Sequence, residues 1–203
     1  MVPLFPLPDH VMLMGVPSPF RIFEPRYRAL AEDLDRLPSE DRWLAIPRLS
    51  GRLDHGGAPA FAPVAAVVRV LRLEALADGH WFLLAEGVAR VRLTEAPSTR
   101  PYRLAQVQEF PDAPDDGPVS GLIDRLRAAV SDLAHRLREQ GNPLLHLLTR
   151  HEDKQVVDHL GALLLVAPDD RQAFLEEPTL GGRARRLLRA LGAQRGPAQP
   201  SIN

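Results

Sequence analysis

Residues 20 to 30 read FRIFEPRYRAL, and in this stretch an extended segment turns into a helix. The alternating apolar residues before Pro25 are typical of the end of a strand, and Pro25 suits the first helical position because its missing N–H needs no partner there. Beyond it, apolar residues recur at helical spacing, at Tyr27, Leu30 and Leu34. We therefore predict a strand followed by an amphipathic helix with one buried face.

Residues 64 to 107 carry the strongest β-strand character of the sequence. Valine and leucine dominate the first ten residues, Asp78-Gly79 is a tight-turn signal, and an alternating strand returns from Trp81. On that strand Arg90 and Arg92 share the face opposite the apolar residues, so we expect both to point outward. Further short strands are predicted at 2–7, 11–14, 43–46 and 102–107, whereas 52–63 has the composition of a loop.

Helical periodicity begins after a proline- and aspartate-rich segment at 110–119, which we interpret as a hinge. Apolar residues recur every three or four positions at 122–137, and Gly141-Asn142-Pro143 indicates a helix stop. Three more helices are predicted at 153–166, from Pro168 onward and at 180–191. Because short amphipathic helices cannot bury an apolar face alone, we expect them to pack into a bundle.

Three motifs carry a family resemblance: LFPLP at 4–8, FRIFEPRYRAL at 20–30, and DGHWFLLAEGVARVRL at 78–93 with its Glu-Gly corner. Together they resemble the amino-terminal substrate-binding domain of the Lon protease, the LON domain, over nearly the whole chain. The resemblance implies an α+β fold, with a PUA-like β-barrel and one or two helices at 1–112 and an α-helical bundle at 118–192. Residues 193–203 are expected to form a disordered tail.

Composition excludes several classes of function. The 203 residues carry a formal net charge of −1 and a pI near 6.7, so charge favours neither DNA nor a membrane as partner. The absence of cysteine removes thiol nucleophiles, disulfides and cysteine-based zinc sites. Neither a secretion signal nor a membrane-spanning run is indicated, and we expect a cytoplasmic protein.

The residues indicate no catalytic role. A full Lon protease, as the resemblance implies, also carries an ATPase module and a serine-lysine protease module. Lys154 is the single lysine and Gln155-Val156 follows it, so the Gly-Lys-Ser/Thr phosphate-binding signature does not occur. Its acidic neighbours favour the charged ammonium, whereas a dyad needs the neutral amine. We predict a non-enzymatic protein without a cofactor.

Histidines are the remaining candidates for a metal site. His146, His151 and His159 lie near Asp158 in the sequence, but His151-Glu152 lacks the second histidine that the zinc-protease motif places four residues after the first. Zinc also needs convergent ligands that this spacing does not supply. We interpret these histidines as surface or loop residues and predict no metal.

What remains is binding without chemistry. Methionine adapts to varied apolar partners, and exposed apolar patches mark interaction sites. We predict that the protein binds exposed apolar segments of unfolded or partner proteins and passes them to a separate protease or chaperone. For Met12, Phe20 and both tryptophans, a position in the apolar core is the alternative to a role in binding at the surface. The candidate residues are Met12, Met14, Val16, Pro17, Phe20, Trp43 and Trp81.

RNA is the alternative partner, because PUA-like folds include RNA-binding modules. The arginines that would contact it lie on the β part of the sequence: Arg69, Arg72, Arg90, Arg92 and Arg103. A second arginine group at 183–195 lacks nearby aromatic residues for base stacking, so we interpret it as a solvated helix face.

Overall fold

The computed structural model describes residues 1–53, 57 and 59–194. In this part of the chain, strands and one helix come first and five helices follow, which confirms the α+β class. The strands are β1 Val2–Pro3, β2 Ser18–Ile22, β3 Trp43–Ile46, β4 Leu49–Leu53, β5 Pro59–Phe61, β6 Val64–Ala75, β7 Trp81–Ala96 and β8 Leu104–Glu109. The helices are α1 Pro25–Asp35, α2 Ser120–Leu137, α3 Asn142–Arg150, α4 Asp153–Leu164, α5 Pro168–Glu176 and α6 Leu180–Gln194.

The sixteen-residue strand β7 is the central strand of the main sheet. One of its edges pairs with β6, and the other pairs with β2 at Trp81–Ala85 and with β8 at Val91–Ala96. The strand order is β1-β8-β7-β6-β3, with β2 attached to β7. The barrel expected from the sequence is not closed: isolated bridges such as Leu4–Ala45, instead of a continuous ladder, join the two ends of this order.

The strand-to-helix transition at residues 20–30 is confirmed. Strand β2 ends at Ile22, and Pro25 is the first residue of α1. Helix α1 buries Tyr27, Leu30 and Leu34 against the sheet, as their spacing predicted. The helix therefore has one buried and one solvated face.

Two predictions about the β region were wrong. Residues 11–14 form no strand, although they are buried and Met14 makes a single bridge to Gly87. The segment interpreted as a loop contains β5, which pairs with β4 as a separate hairpin. Glycine and proline content misled the interpretation, because an edge hairpin tolerates both residue types. Residues 54–56 and 58 of that segment lie outside the described residues.

The carboxy-terminal region contains one helix more than predicted. Helix α2 ends at Leu137, and a short 3-10 turn separates it from the next helix. The helix end predicted before Pro143 is therefore present. However, Pro143 lies at the start of α3, where proline is as well accommodated as it is after a helix end. Helix α6 extends to Gln194, two residues into the predicted tail, and residues 195–203 lie outside the described part of the chain.

One apolar core runs through both regions of the chain. It joins Ile22 and Leu83 from the strands to Leu126, Val157 and Phe174 from the helices. A smaller apolar cluster lies at the other face of the sheet and contains Leu4, Ala45, Ala65, Val91, Leu93 and Ala105. The helices therefore pack against the sheet as well as against one another.

Two arginines that we expected at the surface are buried, with Arg90 7% and Arg183 0% exposed. Asp112 forms ion pairs with both, and the Arg183 guanidinium also lies 3.2 Å from Asp158. We call the buried Arg90, Asp158 and Arg183, together with Asp112, whose side chain is 27% exposed, the buried charge cluster. Strand alternation places Arg90 on the correct face of β7 but does not reveal that helices cover that face. The outward orientation predicted for Arg90 and the solvated position predicted for Arg183 are therefore wrong.

Candidate functional site

A cavity of about 700 Å³ opens where the end of α1 faces β1, the start of β3 and β8. Its apolar walls come from Val2, Leu34, Leu37, Trp43 and Leu104. We call this cavity the Trp43 groove. Helix α1 supplies Leu34 from its buried face. Leu37 lies just beyond the helix end, where its backbone N–H donates to the carbonyl of Leu34 over 3.1 Å.

The groove exposes large apolar side chains to solvent. Met1 is 79%, Leu37 43% and Trp43 36% exposed. The indole N–H of Trp43 donates to the carbonyl of Glu40 over 2.7 Å, which fixes the orientation of the ring. Two exposed apolar side chains beside an oriented tryptophan offer a binding surface for an apolar partner.

A charged network centred on Asp33 forms the rim of the groove. Asp33 pairs with Arg36 over 2.7 Å and with Arg100, and the Tyr102 hydroxyl donates to it over 2.7 Å. The hydrogen bond from Tyr102 and the charges of Arg100 and Arg36 outweigh desolvation and lower the pKa of Asp33 below its usual value. Burial and the hydrogen bond to Asp33 raise the pKa of Tyr102 to about 12.

These ionisation states do not suit the rim to proton transfer. The aspartate stays charged and the phenol stays protonated across the physiological range, so neither group is suited to exchange a proton near neutral pH. The lining contains Asp33, Asp41, Arg36 and Arg100, so its ionised side chains sum to zero charge. The groove is therefore suited to bind an apolar partner, and its charges do not select a polyanion.

Met12 and Met14 do not lie at the surface. Met12 is 1% and Met14 9% exposed, and both belong to the main core. The expectation of flexible methionines at an open surface is therefore not met, because the segment 11–14 packs inside without forming a strand. Met14 does line a second cavity of about 380 Å³ beside Phe110 and Lys154.

The other candidate residues are spread over the molecule. Phe20 is partly buried and makes edge contacts with Phe5 and His10, at 5.7 and 5.2 Å between ring centroids. Trp81 packs partly buried against the main core. Val16 is half-buried and Pro17 is exposed, in the loop before β2. Of the seven candidates only Trp43 lines the Trp43 groove, so the structure does not bring them together in one site.

The sequence interpretation missed Leu37 and the rim residues Asp33, Arg100 and Tyr102. Leu37 follows Leu34 at the same three-residue apolar spacing, and that spacing was available in the sequence although α1 itself ends at Asp35. The rim offered no such signal, because Arg100 and Tyr102 are remote from Asp33 along the chain and meet it only in the folded protein.

The arginines proposed for RNA are largely paired with carboxylates. Arg69 pairs with Glu86, Arg72 with Glu74 and Arg103 with Glu95. Arg90 belongs to the buried charge cluster, and Arg92 stacks over Phe110 with its guanidinium carbon 4.6 Å from the ring centre. Within the described part of the chain, Arg92 is the one of these five without an ion pair, so no continuous positive surface results.

The described residues offer no cluster of metal-ligating side chains and no membrane-spanning helix. No group of three or more histidine, aspartate or glutamate residues in this part of the chain is arranged to hold a metal ion. No described helix has the length and apolarity to cross a membrane. His151 and His159 stack face to face with ring centres 5.2 Å apart.

Comparison with known proteins identifies the family of this chain. Residues 1–192 match the family described as the ATP-dependent protease La (LON) substrate-binding domain. The chain belongs to this family. The resemblance found in the LFPLP, FRIFEPRYRAL and Glu-Gly motifs is thereby confirmed.

Relatives of this LON domain protein are Lon proteases. The chain is 24% identical to Lon protease 2 of Myxococcus xanthus over 201 residues and 25% identical to Lon protease of Anaeromyxobacter dehalogenans over 199. Each alignment covers 96% of this chain but 24% and 23% of the relative. The chain thus spans about a quarter of the length of the curated relatives that it matches.

Solved structures show the same fold. The N-terminal domain of Mycobacterium avium complex Lon protease superposes with a TM-score of 0.74 at 18% identity, covering 94% of this chain and 97% of that one. A Lon N-terminal domain protein from Xanthomonas campestris gives a TM-score of 0.62 at 22% identity, covering 93% and 96%. The open sheet followed by helices is therefore the fold of Lon N-terminal domains.

Proposed function

We propose that this LON domain protein binds exposed apolar segments of unfolded or partner proteins in the Trp43 groove, catalyses no reaction, and hands its clients to a separate protease or chaperone. Membership of the substrate-binding family supports a protein as the partner. The single observation that carries the proposal is the exposed Trp43 ring beside Leu37 and Met1. Tryptophan, with tyrosine and arginine, is among the side chains that most often dominate protein–protein affinity when an interface buries them.

The size and charge of the groove fit this function. Cavities of roughly 300–1,000 Å³ bind ligands effectively, and the Trp43 groove lies within that range. An apolar segment needs no compensating charge, and the rim carries as many carboxylates as guanidinium groups. Affinity from apolar burial depends little on salt, because screening acts on charges.

Fluorescence anisotropy of a labelled, permanently unfolded polypeptide tests the proposal. We expect the protein to bind this probe in preference to its folded counterpart, with little dependence on salt. Trp43→Ala is expected to weaken binding by about tenfold or more, as for a central aromatic contact. Phe23→Ala is the matched control, because Phe23 is 60% exposed but lies outside the groove. Absence of binding to the unfolded chain would refute the proposal.

The same titration with single-stranded RNA addresses the alternative partner. Binding to RNA alone, with affinity that falls steeply as salt rises, would move the site to the arginines of the sheet. Trp43→Ala would then leave affinity unchanged, whereas replacing Arg92 would lower it.

A further inference from the structure

Strand β8 has a free edge over its last residues. It pairs with β7 along its whole length, but β1 covers only Leu104 and Ala105 on its other side. The side chains of residues 106–109 are all exposed, although they belong to a regular strand. A strand with an open edge and exposed faces can accept another strand.

The hydrogen-bond pattern shows which main-chain groups point outward. The N–H of Phe110 donates to the carbonyl of Arg90 over 3.0 Å. In an antiparallel ladder, hydrogen-bonded residue pairs alternate with pairs that are not hydrogen-bonded. Phe110 and Arg90 form a bonded pair, so the next pair, Glu109 and Val91, is not hydrogen-bonded. Glu109 therefore turns its N–H and carbonyl away from β7, and Val107, two residues earlier, does the same.

The pairing of β1 confirms this alternation. Ala105 has the same orientation as Val107 and Glu109, and it lies opposite Val2 of β1. The ladder that β1 begins at Ala105 can thus be continued at Val107 and Glu109 by a strand lying in line with β1. Among the described residues, no hydrogen bond outside the strand pairing reaches the main chain of either residue.

We propose that this edge, Val107 to Glu109, binds an extended segment of the polypeptide client by strand addition, so that main-chain hydrogen bonds supplement the apolar contact in the Trp43 groove. The inference rests on the proposed function, because it names how the same client is held. Val2 links the two surfaces, since it lines the groove and pairs with Ala105, two residues before the free edge.

Geometry and charge favour a client segment over other occupants. A second copy that paired Val107 with its own Val107 would set Glu109 opposite Ala105, whose main chain is already paired with Val2. The remaining symmetric register sets Val107 opposite Glu109 of the other copy. It makes the two Glu109 carboxylates diagonal neighbours on one face, and this repulsion disfavours a second copy. Glu109 is the only ionised side chain on the edge, and its negative charge opposes a nucleic-acid backbone. The edge also lacks the lysine and proline with which proteins commonly protect such strands.

Side-chain packing adds to the main-chain bonds. Val107 lies opposite the buried Leu93, at the border of the smaller apolar cluster, and is 38% exposed. An apolar residue of an added strand would cover Val107 and extend that cluster. Main-chain recognition tolerates many sequences, which suits a receptor for unfolded chains that share no motif.

Amide hydrogen exchange, read by NMR on the whole chain, tests the inference directly. The unfolded polypeptide of the anisotropy experiment serves as the probe. We expect the N–H groups of Val107 and Glu109 to exchange rapidly in the free protein and to become at least about tenfold slower in the complex, as newly bonded amides do. The N–H groups of Gln106 and Gln108, which face β7, are the internal reference and should change little. Unchanged exchange at Val107 and Glu109 in the saturated complex would overturn the proposal.

A proline substitution gives an independent readout. Val107→Pro removes an N–H that points away from β7, so the strand pairing is retained, and we expect binding to weaken about fivefold from the lost hydrogen bond. Val107→Thr keeps the N–H and should bind within about twofold of the natural protein. If the natural protein binds and Val107→Pro binds equally well, strand addition is wrong while the proposed function stands. If the natural protein does not bind the polypeptide, the proposed function itself fails.

Discussion

Gly87 lies where two parts of the chain approach each other closely. A Cβ atom at this position would be 2.5 Å from the carbonyl oxygen of Leu13, and the N–H of Gly15 bonds to the carbonyl of Gly87 over 3.2 Å. Any side chain here would push the buried segment 11–14 away from β7. Close packing against the segment 11–14, and not a tight turn, is therefore the reason for glycine in the Glu-Gly corner.

Replacing Gly87 by alanine is expected to destabilise the protein by about 1–3 kcal/mol, the usual cost of inserting a methyl group into a filled space. Urea unfolding followed by circular dichroism measures the change. Gly121→Ala is the matched control: nothing lies within 4 Å of its added Cβ, and it is in helix α2. Alanine favours a helix, so this variant should be unchanged or more stable by up to about 1 kcal/mol. Equal stability of both variants would contradict the packing argument.

At the level of elements, the linker between strands and helices is attached at several points. Asp112 pairs with two buried arginines, one from β7 and one from α6. The N–H of Ala113 donates to the carbonyl of Pro178 over 2.9 Å, and Asp115 accepts from the N–H of Gly181 over 3.0 Å. The segment that the sequence suggested as a hinge therefore holds β7 and α6 together.

Asp112→Ala would leave the guanidinium groups of Arg90 and Arg183 buried with one carboxylate fewer. Burial acts to raise the pKa of Asp112, but the hydrogen bond and charge of Arg183 outweigh it and keep the pKa below its usual value. We expect the substitution to cost about 3–5 kcal/mol in the free energy of unfolding, as for a broken buried ion pair.

Chemical denaturation measures this cost as well, and the neighbouring aspartate Asp116 provides the control. Asp116 is exposed and has no ion pair among the described residues, so Asp116→Ala should change stability by less than about 0.5 kcal/mol. A loss for Asp112→Ala no larger than that of Asp116→Ala would show that the buried charge cluster does not hold the elements together.

For the whole molecule, the shared core predicts cooperative unfolding. The core contains residues from β2, β7, α2, α4 and α5, so neither region can expose its apolar face while the other stays intact. Both tryptophans lie in the amino-terminal region, whereas most helix lies in the carboxy-terminal region. Tryptophan fluorescence and far-ultraviolet circular dichroism should therefore give the same urea midpoint. Two separate midpoints would show two independent folding units.

Local patterns were sufficient for most elements. The proline at the start of α1, the Asp78-Gly79 turn and the apolar spacing of α2, α4 and α6 were all predicted from residues close together in sequence. Helix α3 was missed, because Pro143 signals a helix start as well as a stop. Of the candidate site, the sequence identified Trp43 but not the residues around it.

The sequence by itself determined the α+β class, the family and the order of most elements, because these follow from periodicity, turn residues and motifs within short stretches. Only the tertiary structure decided which faces are covered. It buried Met12, Arg90 and Arg183, joined Asp33 to Tyr102, and left the edge of β8 open. The physical reason is that periodicity tells which residues share a face, whereas burial depends on which distant element packs against that face.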